Sequence, residues 1–139
     1  MLRLLFALFA VLPVSLAFAQ ELPKTLLSLG LYRIEAEVAD TPQTREYGLM
    51  ERTHLEANAG MLFIFPEPRA YCMWMKNTLI PLSVGFFDEQ GVLINVEEMQ
   101  ARSEATHCAK APATFALEMN ARWFSRHGIT PGMKLKREQ

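Results

Sequence analysis

The sequence predicts a mainly β protein (β-rich α+β), a small antiparallel barrel or sandwich carrying one or two short helices. Three observations lead there. Apolar residues alternate with period two or fall in short continuous runs at 31–38, 61–65, 80–87 and 92–99, which is strand spacing and not the 3.6-residue period of a helix. Turn formers separate these segments: Pro66 and Pro68 close one run, and Asp88-Glu89-Gln90-Gly91 divides the last two. Helix-start chemistry is confined to Thr41-Pro42 and the segment after Asn120.

The first 19 residues stand outside this pattern. Arg3 precedes an apolar run over 4–12, Pro13 interrupts it, and Ala17-Phe18-Ala19 offers the small-any-small pattern that a signal peptidase accepts. A signal peptide over 1–19, cleaved before Gln20, is therefore expected. The alternative is an uncleaved anchor over 2–19, although the run is short for a bilayer. No cysteine follows the cut, so no lipid anchor is expected there. The predicted destination is the periplasm or the exterior, with no stable membrane insertion after cleavage.

Residues 20–30, with Pro23, read as an N-terminal linker, and 31–139 as a single β-rich globular domain. Tyr32, Ile34, Ala36 and Val38 alternate with Arg33, Glu35 and Glu37, as in a half-buried strand. Thr41 is placed to cap a short helix over 43–50, with Pro42 at its first position and Gly48 weakening it. The run 61–65 is too short for a core helix and rich in strand formers. Residues 71–75 form a further strand, and 80–87 another whose start Pro81 confines to an edge or bulge. Gly91 can take the positive φ of a hairpin turn leading into 92–99. Residues 100–112 lack periodicity and read as a long loop. A strand follows over 114–119, then a short helix capped by Asn120, anchored through Trp123 and Phe124 and stopped by Gly128. Pro131-Gly132 turns the chain into a last strand over 133–136.

Charge and cysteine usage narrow the function. The chain carries 14 Lys and Arg against 15 Asp and Glu, and the leader removes one of the basic residues, which argues against a nucleic-acid partner. Cys72 and Cys108 are its 2 cysteines. In an oxidising compartment an even count reads first as a disulfide, worth about 4 kcal/mol in the chain-entropy model. A metal-binding or reactive thiol pair is the alternative.

Trp74-Met75-Lys76-Asn77-Thr78, followed by Ile80-Pro81-Leu82, sets a cation and two hydrogen-bonding side chains against bulky apolar ones. Other segments accompany it in order: Arg45, Gly48-Leu49-Met50 and Arg52; Gly60-Met61-Leu62-Phe63 and Phe65; Asp88, Gly91 and Met99; Leu117-Glu118 and Gly128-Ile129. Together they resemble the signature of the domain of unknown function 192 family over about 34–135. The resemblance implies a compact β-rich domain, frequent on exported prokaryotic proteins, in a family without an established activity. The chain departs from it at Ser83 and Met133, where family members often carry acidic residues, and near Phe115, where they carry a tyrosine. The first two departures remove carboxylates that a metal site or an acid–base pair would use. The cysteine pair looks like a feature of a subset of the family.

Trp74, Lys76, Asn77 and Thr78 are candidate ligand-binding residues, since an ammonium, an amide and a hydroxyl beside an apolar wall suit a small anionic ligand. Asn77-Thr78 ahead of Pro81 is equally good turn chemistry, and Lys76 is free to pair with Glu118. Arg45, Arg52 and Glu118 complete the candidate set under the same choice, because an arginine forks onto a ligand carboxylate or onto an internal glutamate. Met50, Met61, Met73, Met75 and Met99, with Cys72, His54 and His107, would suit Cu(I), so a periplasmic copper-binding protein is a second reading. Against it, Met73 and Met75 alternate away from Cys72, and methionine also fills irregular cores. An envelope hydrolase is a third reading, but no Gly-x-Ser-x-Gly, phosphate loop or paired metal-ligand spacing supports it. No catalytic residue, metal or cofactor is assigned. His54 and His127 read as surface residues. The leading expectation is a monomeric, disulfide-stapled binding or accessory domain of the cell envelope, with a small ligand or an envelope protein as partner.

Overall fold

The computed structural model describes residues 21–138, so the expected leader over 1–19 lies outside the described residues. The elements are β1 (Lys24–Leu29), β2 (Tyr32–Ala39), α1 (Pro42–Tyr47), β3 (Ala59–Arg69), β4 (Cys72–Met73), β5 (Leu82–Phe87), β6 (Leu93–Met99), β7 (His107–Cys108), β8 (Ala113–Asn120), α2 (Trp123–Arg126) and β9 (Leu135–Arg137). Seven strands form one curled sheet, a half-barrel, in the order β6-β5-β8-β3-β2-β1-β9, while β4 and β7 make a separate two-stranded ladder. The β-rich class with two short helices is the one the sequence predicts.

Several elements differ from the sequence reading. The segment 20–30 is not a linker: it contains β1, paired antiparallel with β2 from Lys24↔Glu37 to Leu29↔Tyr32, and it buries Leu27 and Leu29. Gly30, at φ 60°, makes the tight turn between the two strands. The sheet is not wholly antiparallel, because α1 and the following loop carry the chain across so that β2 and β3 run parallel from Glu35↔Ala59 to Ala39↔Phe63. The strand expected over 71–75 shrinks to Cys72 and Met73, and the loop over 100–112 contains its partner, β7.

Thr41 caps α1 as its sequence implies. Its hydroxyl accepts from the Thr44 amide at 3.1 Å, and the Thr44 hydroxyl accepts from the Thr41 amide at 3.1 Å, a reciprocal capping box with Pro42 opening the helix. The helix ends at Tyr47, short of 50, because Gly48 leaves helical geometry at φ 51°. Asn120 does not cap α2. It ends β8 and donates through Nδ2 to the Leu55 carbonyl at 2.8 Å, while Arg122 takes the N-cap position in the left-handed region.

Alternation along the central strands separates two apolar faces. Met61, Phe63 and Phe65 of β3, with Val84 and Phe86 of β5, pack on one face beneath Leu49 and Met75. Leu62, Phe87, Leu117 and Met119 pack on the other with Trp123 and Phe124 of α2. Removing these side chains from water is the main stabilising contribution. His127 is half-buried rather than a surface residue: it stacks on Trp123 at 4.4 Å and meets the Tyr32 ring edge-on at 4.3 Å. The two outer strands of the sheet approach each other at one end, where Val92 bridges Lys134 and the Leu93 amide donates to the Met133 carbonyl at 2.8 Å.

Candidate functional site

β8 lies in the middle of the sheet, and Glu118 stands in register with Met61 of β3 and Val84 of β5. Period two puts its carboxyl on the same face as Ala116, among apolar neighbours. Two elements cover that face: α1 with the residues that follow it, and the segment 71–78. The second is pinned at several points. Cys72 is bonded to Cys108, the Ala109 amide donates to the Tyr71 carbonyl at 2.8 Å, the Met75 amide to Ser103 at 3.0 Å, and the Arg102 amide to Thr78 at 2.9 Å. Residues 75–78 form a turn closed by the Thr78 amide on the Met75 carbonyl at 3.0 Å, with Asn77 in the left-handed region at φ 57°.

Between these covers lies a pocket of about 260 Å³ lined by Arg45, Phe65, Tyr71, Trp74, Thr78 and Glu118, among others. Glu118 is 4% exposed, and among the described residues its carboxyl has neither a hydrogen-bond partner nor an ion pair. Burial alone pushes this carboxyl up from its ordinary 4.5 to about 8, so it is mostly neutral at pH 7. Arg45 turns Nη1 away to two backbone carbonyls, Asp40 at 2.7 Å and Ile64 at 3.1 Å. The Phe65 and Tyr71 rings stack at 3.7 Å, and Trp74 remains 44% exposed.

Of the residues singled out from sequence, Arg45, Trp74, Thr78 and Glu118 therefore converge on one cavity. Lys76 and Asn77 are exposed on the turn beside it. The Lys76 ammonium sits 5.3 Å from the Trp74 ring centroid and not on Glu118, and the Asn77 carbonyl accepts from the Glu51 amide at 3.0 Å. Arg52 is elsewhere, forked onto Glu37. Tyr71 and Phe65 were not among the candidate ligand-binding residues, although Phe65 belongs to the family signature. The available signal was their aromatic character at the end of β3 and in the link to β4, ahead of the motif, which does not by itself tell a wall from a core. A wider groove of about 430 Å³ beside β2 carries charges that already have partners, Lys24 on Glu35 and Arg52 on Glu37.

The sulfur ligands of the copper reading are split: Met50 and Met73 line the pocket with Glu118, while the others lie in the core or in the disulfide. Met61, Met75 and Met99 are buried in the core, and both cysteines are in the disulfide. Among the described residues, no group of three or more His, Cys, Asp or Glu is placed to hold a metal ion. Among the described residues, no helix is long and apolar enough to cross a membrane.

A curled sheet covered on both faces, with a cavity beneath one cover lined in part by a buried carboxyl, defines a small β half-barrel with a capped pocket. The chain belongs to the DUF192 family (domain of unknown function 192, "Uncharacterized ACR"), whose family model matches residues 26–137. It is similar to the crystal structure of a proposed transcription regulator from Sinorhizobium meliloti 1021, at 33% identity and a TM-score of 0.83, over 86% of this chain and 98% of that one. It is also similar to a protein of unknown function from Novosphingobium aromaticivorans DSM 12444, at 31% identity and a TM-score of 0.78, over 94% of this chain and 93% of that one. No curated protein matches the chain.

Proposed function

We propose that this protein is an exported binding module of the cell envelope that takes a small ligand in the pocket between α1 and the segment 71–78. The observation that carries the reading is Glu118. Burying a carboxyl without a partner costs stability, and an apolar side chain in the middle of β8 would avoid that cost. A polar group kept at such a cost, and facing a cavity walled by aromatic rings, supports recognition rather than packing. Export is supported by the leader pattern over 1–19 and by a disulfide of the kind that persists in oxidising compartments.

The small anionic ligand expected near residues 74–77 is less well served, since Arg45 commits Nη1 to carbonyl oxygens and Lys76 rests over Trp74. The nearly balanced charge of the chain gives a nucleic-acid partner no support. The test is amide-detected NMR of the purified protein against a library of small fragments. Shifts clustering at Gly48, Trp74 and Thr78 are expected, and hits that consistently avoid this cluster would overturn the reading.

A further inference from the structure

Resting on the binding reading of this pocket, we infer that its ligand class is a compact primary ammonium ion, with the charged end on Glu118 and an apolar body against Tyr71 and Trp74. Four observations converge on it. Among the described residues, the Glu118 carboxyl makes no hydrogen bond or ion pair and lines the cavity, so a ligand donor reaching it displaces no protein partner. The walls include Tyr71 and Trp74, which give an apolar ligand body ring surface to pack against. The Arg45 guanidinium makes no ion pair with Glu118 and is held on the Asp40 and Ile64 carbonyls, leaving the carboxylate's charge without a counter-ion. Finally, about 260 Å³ lies just below the ~300–1,000 Å³ of pockets that enclose drug-sized ligands, which limits the body to a small one.

The other titratable groups at the cavity are few. α1 contributes Arg45, Glu46 and Tyr47, and the segment 71–78 contributes Tyr71, with Lys76 outside over Trp74. The neighbouring strands present Met61, Phe63 and Phe65 from β3 and Val84 from β5, none of which titrates. Glu118 is thus protonated in the empty pocket at neutral pH, and an arriving ammonium drives that proton into solvent while keeping its own. Binding is therefore coupled to release of close to one proton at pH 7, and affinity rises by roughly tenfold per pH unit below about pH 8.

The experiment uses three small benzyl-type probes, benzylamine, its isostere benzyl alcohol, and benzoate, titrated by NMR and calorimetry into the purified protein between pH 6 and about 7.5. Benzylamine is expected to shift the Trp74 indole and the Thr78 amide, with affinity climbing roughly tenfold per pH unit. Glu118→Gln is expected to cut benzylamine affinity at least about tenfold and remove its pH slope. The slope on the unsubstituted protein stands as a test even if that variant fails to fold. Benzoate binding in preference to benzylamine, or benzylamine and benzyl alcohol binding equally at every pH, would overturn the ammonium assignment while leaving a binding pocket. Absence of shifts in the pocket with all three probes would overturn both.

Discussion

Arg52 grips Glu37 as a fork, Nη1 on Oε2 at 2.8 Å and Nη2 on Oε1 at 2.9 Å, tying the turn after α1 to β2. The pair fixes one end of the pocket's cover without entering the pocket. Because both side chains keep some contact with water, its contribution is about 1 kcal/mol. Arg52→Ala is expected to lower unfolding free energy by about that amount in urea titrations, and Arg52→Lys to recover only part of it, since an ammonium cannot fork. Ligand shifts at Trp74 should persist in both variants.

Glu118 makes stability depend on pH in a definite direction. Its carboxyl sits at about 8 in the folded chain against about 4.5 unfolded, so between those values the folded state keeps a proton that the unfolded state gives up. Stability contributed by this group is therefore full below about pH 4.5 and is lost as pH rises through about 8, by up to ~1.4 kcal/mol per unit. Urea titrations at several pH values should show that decline in the native sequence and its removal in Glu118→Gln. Parallel curves for the two proteins would assign the slope to other groups.

The Cys72–Cys108 bond closes a 36-residue loop that carries the pocket's cover, β5 and β6. Reduction, or the double change Cys72→Ser with Cys108→Ser, is expected to cost about 3–4 kcal/mol by denaturant titration. Protein purified without reductant should be lighter by two hydrogens than its reduced form, with no alkylatable thiol.

Gly60 of β3 lies against β8. A Cβ there would stand 2.5 Å from the Glu118 backbone oxygen and would also meet the Met119 sulfur, and the backbone contact cannot be relieved by a rotamer change. Gly60→Ala is expected to destabilise the protein by about 2 kcal/mol or more, read as a lowered midpoint at unchanged denaturant slope.

Much of the fold was legible because its signals are local. Period two in 31–38, the Asp88–Gly91 turn and the Thr41-Pro42 cap each specify their geometry within a few residues. In that turn Asp88 Oδ1 accepts from the Gln90 and Val92 amides, both at 2.9 Å. β1 was missed because a leucine-rich stretch after a proline declares itself a strand only through its partner, β2. The parallel pairing of β2 with β3 is likewise a property of the crossover and not of either segment.

The site was legible in its members more than in its assembly. Arg45, Trp74, Thr78 and Glu118 were identified from their chemical types, but whether Glu118 would meet Lys76, Arg45 or an empty cavity depends on strand register and on the path of 71–78. Arg52 illustrates the limit from the other side. A forked arginine looks the same in sequence whether its carboxylate belongs to a ligand or to Glu37.

The outer side of β6 is guarded over its first residues by two different devices. At its start, residues 132–135 bond to Gly91 and Leu93; further along, Asn95 donates to the Cys108 carbonyl at 3.2 Å and accepts from the Lys110 amide at 3.0 Å. The disulfide loop thus shields a strand margin that would otherwise template pairing with another chain. A thiol reductant acting on this protein would accordingly do more than loosen a pocket cover: it would unveil a sticky seam, and self-association would follow from the loss of a bond on the far side of the loop.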